Sequence, residues 1–210
     1  IKNAVQKGDV TLHKWKIKSC GLQDCIRIAA EKIRENRLPA EEQNGRIKRG
    51  IGVACMTHVS GNRGGEKFDG SAATVRMHED GGVFIFSGEA DMGQGAKTVF
   101  AQIAAEKLCI PIDTITVMPL DTDVCPFGMG TYSSRVTTLG GKAVLLACEQ
   151  LLSQILDLAA KMTSRQRDTL FIENGLVKCS RDPSILLTVK EVATKAIRSN
   201  AGVPLIANVT

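Results

Sequence analysis

Aromatic residues are scarce, at 4% of the 210 residues, with one tryptophan (Trp15) and one tyrosine (Tyr132), both read as packing groups. That poverty removes the stacking platforms on which single-stranded nucleic acid is held. Histidine is also rare: His13, His58 and His78 are scattered, with no pair at ligand spacing, so metal held directly by side chains is not expected. Neither sign of charge dominates, since 27 Lys+Arg against 22 Asp+Glu leave a net charge of +5. Basic residues gather only locally, in His13–Lys18 and Arg46–Arg49, and such runs read as solvated faces rather than a nucleic-acid footprint. No apolar run approaches the roughly 18 residues that a bilayer span needs. The chain also lacks an initiator Met and a signal-like apolar block, and it stops just after a strand-like PLIANVT. The expectation is an excised piece of a longer polypeptide.

Cysteine is present but unorganised. Seven thiols, an odd count, make no disulfide framework. Cys20 and Cys25 echo the first step of a plant-type iron–sulfur spacing, yet Cys55 lies too far away and in an apolar run, so the motif is not completed. Free thiols, buried or half-buried in a reducing cytoplasm, are expected instead.

What remains is 43% apolar and 23% charged, the composition of a globular chain able to bury roughly 70% of its unfolded surface. Asp24 to Asn36 repeats apolar residues at helical spacing, with Pro39 beyond, and predicts a helix of about three turns. A polar stretch then leads into Arg46–Arg49, placing a lead-in and linker at 1–45 and a main body at 46–210. Gly50–Val59 has the apolar density of a buried strand. Ala72–Met77 and Val83–Ser87 flank a turn at His78–Gly82, the signature of a β-hairpin. Helices are predicted over Ala96–Leu108, Thr138–Lys161 (apolar on more than one face, hence central) and Val189–Ile197. Ile115–Met118 reads as a strand, and Phe171–Lys178 as a small hairpin turning at Asn174-Gly175. Strands mixed with helices and an antiparallel hairpin predict an α+β (mixed α/β) fold with a mixed sheet.

Two glycine-rich loops each feed a helix start: Gly88–Gly95 (GEADMGQG) and Asp121–Ser134 (DTDVCPFGMGTYSS). A helix N-terminus presents unsatisfied N–H groups and a positive dipole end, and glycine lets backbone approach a ligand closely. Gly93 and Gly95 flank Gln94, whose amide can donate and accept; Thr131, Ser133, Ser134 and Arg135 add hydroxyls and charge. GQGAKT lacks the glycine before lysine that a P-loop needs, and no GxGxxG follows a first strand, so neither a P-loop nor a Rossmann fingerprint is present. Glu89, Asp91, Asp121 and Asp123 flank the loops and read as caps rather than as an acid–base pair. From the residues alone, the loops serve equally as turns and caps or as a clamp for a ligand with two separated polar ends.

EADMGQGAKTVFAQIAAEKLCIP (Glu89–Pro111) followed by DTDVCPFGMGTYSSRVTTLGGKAV (Asp121–Val144) resembles the molybdopterin-binding large subunits of the xanthine dehydrogenase family. That family also holds aldehyde oxidases, aerobic carbon monoxide dehydrogenases and 4-hydroxybenzoyl-CoA reductases. GTYSSRVT resembles the wording of the last two branches, and the lead-in GDVTLHKWKIKSCGLQDCI is similar to the segment that precedes this region in them.

The resemblance implies molybdenum on a dithiolene pterin, commonly the molybdopterin cytosine dinucleotide, with the metal held by the cofactor's sulfurs and not by the protein. It implies cofactor contacts at Gly93, Gln94 and Gly95, against the pterin, and at Thr131, Ser133, Ser134 and Arg135, toward pterin and phosphate. It implies partner chains or domains carrying iron–sulfur clusters and FAD, a small-molecule substrate, a dimer of heteromers and a cytoplasmic setting. The family's catalytic glutamate lies nearer the C-terminus in a motif absent from these residues. No catalytic residue is therefore expected here, and this piece alone should be inactive. A non-catalytic nucleotide-binding or structural domain with the same loops is the alternative.

Overall fold

The computed structural model describes residues 2–36, 50–56, 58, 69–199 and 204–210. It divides into two compact units, Ile1–His58 and Val59–Thr210; the boundary expected at Gly45/Arg46 lies outside the described residues.

The first unit holds helix α1 (Leu22–Glu35), as the spacing predicts. Its charges follow the helix dipole, with Asp24 in the first turn, Lys32 and Arg34 in the last, and an Arg27–Asp24 pair at 2.8 Å. None of its residues is buried. The strand expected over Gly50–Val59 does not form in its described part: residues 50–56 carry no regular structure and stay exposed. Apolar density without a partner strand does not make a strand, because the ladder hydrogen bonds need a neighbour.

In the second unit, β1 (Ala73–Met77) and β2 (Val83–Ser87) form the expected antiparallel hairpin, Ala73 opposite Ser87 and Met77 opposite Val83. Asp80 accepts from the Gly82 N–H (2.8 Å) and fixes the turn. Helix α2 (Ala96–Leu108) then crosses over to β3 (Ile115–Val117), which runs parallel to β2. A last strand, β7 (Leu205–Val209), pairs with β1, giving the mixed order β3-β2-β1-β7. The second sheet is antiparallel: β4 (Leu170–Glu173), β5 (Leu176–Cys179) and β6 (Asp182–Thr188), with Asn174 and Gly175 both at positive φ in a two-residue turn. The strand β6, followed directly by α4 (Val189–Ser199), was not anticipated. Its Pro183 and its irregular register against β5 hide a strand signature.

Helix α3 (Gly141–Thr163) is central, preceded by one π-helical turn, Val136–Gly140. Contrary to the expectation from the apolar runs, Val136–Thr163 is long and apolar enough to cross a bilayer by length and composition. In this fold it is the core helix: Val144, Ala147, Cys148, Leu151, Ile155 and Ala159 have no exposed surface. They pack with Val75 and Ile85 of the mixed sheet, Phe100 and Leu108 of α2, and Val177 of the second sheet in one core. A helix covered on several sides loses its polar face, which makes it read as a span.

The seven cysteines are free, but not mostly buried as expected: Cys20, Cys25, Cys55 and Cys109 are exposed, Cys125 is half-buried, and only Cys148 and Cys179 are buried.

Candidate cofactor site

Both glycine-rich loops leave the carboxyl ends of the parallel pair β2 and β3, the edge at which α/β sheets receive ligands. Close backbone contact locks them together. A Cβ on Gly88 would stand 2.3 Å from the Pro126 carbonyl oxygen and 2.4 Å from the Gly128 nitrogen, and a Cβ on Gly128 would stand 2.5 Å from the Gly88 oxygen. Only glycine permits that approach. The Ala90 carbonyl oxygen adds a second tie, accepting from Thr131 Oγ1 at 2.7 Å and from Gln94 Nε2 at 2.9 Å. One carbonyl of the first loop therefore holds a residue of each loop.

Asp91 shapes the first loop from inside. Its Oδ1 accepts from the Gly93 N–H (2.9 Å) and the Gly95 N–H (3.3 Å), and its Oδ2 from the Lys97 N–H (3.1 Å). The backbone N–H groups of Lys97 and Gly93 hold its carboxyl below the usual aspartate range. Asp91 is thus the cap its position suggested, and it occupies three amides that would otherwise face an anion at the start of α2. Gln94 is also turned inward: besides Ala90, its Oε1 accepts from the Met92 N–H at 2.6 Å. The amide expected to meet a ligand is engaged at both ends by its own loop.

What the loops leave open is backbone. Gly93 (φ 102°), Gly95 (φ 85°) and Gly130 (φ 98°) have open space where a side chain would stand. Ser133 (φ 48°) and Ser134 (φ 54°) are two consecutive residues in the left-handed region, Ser133 half-buried and Ser134 exposed. The pair stands just ahead of the π-helical turn, Val136–Gly140. Thr131, by contrast, uses its hydroxyl on Ala90.

Arg135 departs most from expectation. Its side chain has no exposed surface, so the charge expected at a phosphate is directed into the protein. Nε donates to Asp69 (2.8 Å), Nη1 to Glu89 (2.6 Å) and the Gly130 carbonyl (2.9 Å), and Nη2 to the Gly70 carbonyl (2.5 Å). Tyr132 lies under the guanidinium at 5.6 Å. Burial works against the charge, but the bonds to Glu89 and Asp69 outweigh it and hold the group protonated. Glu89, also buried, accepts from Ser71 Oγ at 2.6 Å on the oxygen that meets Arg135, while its Oε2 has no hydrogen-bond partner among the described residues. Glu89, Ser71 and Asp69 were not anticipated in this role. The available signal was an opposite-charge pair, Glu89 and Arg135, each beside one of two loops that leave the same sheet edge.

Surface grooves of the second unit lie apart from these glycines. One of about 890 Å³, with Gln102, Glu106, Cys109 and Phe171 in its lining, sits at the far end of α2. Another of about 540 Å³ between α2 and α3 begins at Thr137 and Thr138 of the π turn.

The family model for the molybdopterin cofactor-binding domain matches residues 27–210. The chain belongs to that family. It is 33% identical over 202 residues to the xanthine dehydrogenase molybdenum-binding subunit of Escherichia coli O157:H7, covering 93% of this chain and 27% of that protein. It is 32% identical over 153 residues to the carbon monoxide dehydrogenase large chain of Hydrogenophaga pseudoflava, covering 70% of this chain and 19% of the relative. Among solved structures, reconstituted CO dehydrogenase from Oligotropha carboxidovorans superposes with a TM-score of 0.63 at 31% identity, over 67% of this chain and 18% of that one. The chain thus spans about a quarter or less of the curated relatives it matches. The α+β fold expected from the sequence is the fold of this molybdopterin-binding family.

The loops suit such a cofactor in a specific way. Open glycine backbone leaves room for a flat ring against it, and Ser133 and Ser134 carry hydroxyls able to donate and accept. The start of α2 is not a phosphate cradle, because Asp91 already caps it.

Proposed function

We propose that this chain is the cofactor-clamping part of a molybdenum hydroxylase-type oxidoreductase large subunit, holding molybdopterin in its cytosine dinucleotide form. The carrying observation is the open, positive-φ backbone of Gly93, Gly95 and Gly130 on two interlocked loops, in a chain of the molybdopterin-binding family. When bound, the cofactor supplies a two-electron redox centre held by its own sulfurs. The chain's residues bind and orient it. Gly93 and Gly95 let the pterin approach the backbone, with Gln94 and Asp91 fixing the loop beneath. Ser133 and Ser134 give hydroxyl and amide donors toward pterin and phosphate, and Thr131 anchors the second loop to the first. Arg135 acts one step back, on the loops rather than on the ligand.

The whole enzyme would hydroxylate an aldehyde, a heterocycle or carbon monoxide, or reductively dehydroxylate an aromatic CoA thioester. It would exchange electrons with iron–sulfur and FAD partners in the cytoplasm. The base for that chemistry is not assigned to this chain, so these residues alone should be inactive. The capping of α2 by Asp91 favours this reading over an ordinary nucleotide site, whose phosphates would need those same amides.

The test is molybdenum and released cytidine nucleotide per polypeptide in the full-length native protein. Near-stoichiometric amounts of both are expected. Molybdenum without cytidine would keep the clamp and replace the nucleotide form. Absence of both, from a host that loads a control molybdoenzyme, would overturn the proposal in favour of a non-catalytic domain.

A further inference from the structure

Glu89 leaves the first loop and Arg135 closes the second, 46 residues apart, and their side chains meet at 2.6 Å with both fully buried. Burying two charges is costly, and such a pair is a poor means of stabilising a fold compared with apolar packing of the same volume. This pair does not even satisfy itself, since Glu89 Oε2 has no hydrogen-bond partner among the described residues. What it does specify is geometry. The guanidinium reaches Glu89 on one loop, the Gly130 carbonyl on the other, and Asp69 and Gly70 ahead of β1. Three chain segments are thereby held at one planar group whose donor directions are fixed. The Gly88–Gly128 contact and the Thr131–Ala90 hydrogen bond join the loops to each other, whereas the guanidinium also fixes both to the segment ahead of β1.

We propose that Glu89 and Arg135 are positioning residues whose buried pair sets the separation of the two glycine loops and thereby the retention of the cofactor. This rests on the clamping role proposed above. Neither side chain touches the ligand; both act through the backbone of Gly93–Gly95 and Gly130–Ser134.

Glu89→Gln keeps the shape and removes the charge. Arg135→Lys keeps the charge and loses the fork, since one ammonium cannot serve four acceptors. Ser71→Ala removes a hydrogen bond from the same Glu89 oxygen while leaving the tie between the loops. In the full-length polypeptide, three readouts are taken: molybdenum and pterin remaining with time after gel filtration, the Tm, and hydrogen exchange at the two loops. Glu89→Gln and Arg135→Lys should lose cofactor about 10- to 100-fold faster than wild type, the range seen for partners that orient ligands from behind. Both loops should exchange faster together. Ser71→Ala should lower the Tm with retention unchanged.

Cofactor loss that tracks the fall in Tm across all three variants would overturn the proposal, as would retention unaffected in Glu89→Gln and Arg135→Lys. If Arg135→Lys does not fold, Glu89→Gln carries the test. If wild type carries neither molybdenum nor pterin, the clamping role fails, and exchange alone decides the pair's part. Faster exchange of both loops in Glu89→Gln but not Ser71→Ala supports it, and any other pattern overturns it.

Discussion

At Gly88 the backbone has no room for a side chain, and the obstacle is itself backbone, the Pro126 oxygen and Gly128 nitrogen within 2.4 Å of an added Cβ. Neither can turn aside as a flexible side chain would. Gly88→Ala should therefore cost about 3 kcal/mol or more, at the top of the range for overpacking, and separate the loops. Gly93→Ala should cost only about 1–2 kcal/mol, the left-handed penalty alone, because nothing stands near its Cβ. Urea unfolding of both variants checks the order, and a larger loss at Gly93 would contradict the contact. Asp91 makes a pH prediction. Its carboxyl is lowered below the ordinary 3.8 by the Lys97 and Gly93 amides, so its cap is complete above that ordinary value. As pH falls through the lowered value, the carboxylate protonates and the cap is lost. Exchange protection of the Gly93, Gly95 and Lys97 amides should fall in that acid window in wild type, and the step should vanish in Asp91→Asn. A step that survives the substitution would assign the effect to another carboxylate.

Elements with a complete local signature are legible in the sequence. Helix α2 spans Ala96–Leu108 as its spacing predicts, and the β1–β2 hairpin forms around its Asp-Gly-Gly turn. The β4–β5 turn sits at Asn174-Gly175. Elements that depend on a partner are not legible. The apolar stretch beginning at Gly50 is no strand where it is described, because density of apolar residues does not supply a neighbour. In contrast, β6 is a strand in spite of Pro183, because β5 supplies one. The candidate site divides the same way. That each glycine loop precedes a helix is legible, but whether a side chain faces outward or into the protein depends on partners that the spacing does not show. Arg135 turns onto Glu89 of the other loop and Gln94 onto Ala90 and Met92 of its own, while Ser134 stays exposed. Helix α3 makes the clearest element-scale prediction. Leu151 has no exposed surface at its centre, so Leu151→Ala should cost about 2–5 kcal/mol, the range for an unfilled core site, whereas Phe171→Ala, 40% exposed on β4, should cost far less. Equal losses would mean that α3 is not the core helix.

For the molecule as a whole, the question is whether two sheets sharing one helix unfold as one body. The second unit has a single continuous core: α3 packs on β1 and β7 of the mixed sheet, on β4 of the antiparallel sheet and on α4, and the buried residues of both sheets join through it. Two buried thiols report on the two sides, Cys148 on α3 and Cys179 on β5. Burial pushes the Cys148 thiol up to about 12, so in the native fold it is both shielded and protonated near neutral pH. At pH 8, Cys20, Cys25, Cys55 and Cys109, all exposed, should react first with a thiol reagent, and Cys148 should wait for unfolding. If the shared core makes unfolding all-or-none, the labelling rates of Cys148 and Cys179 should rise with urea along one slope and extrapolate to one free energy. Mass spectrometry of peptides labelled at increasing urea reads both sites in a single sample. Cys179 labelling at lower urea than Cys148 would mean that the antiparallel sheet opens alone and that the contacts of α3 with β4 are too few to couple the sheets. The loops at the carboxyl ends of β2 and β3 belong to the Cys148 side. Their order would then survive opening of the second sheet, and cofactor retention in urea should follow Cys148 rather than Cys179.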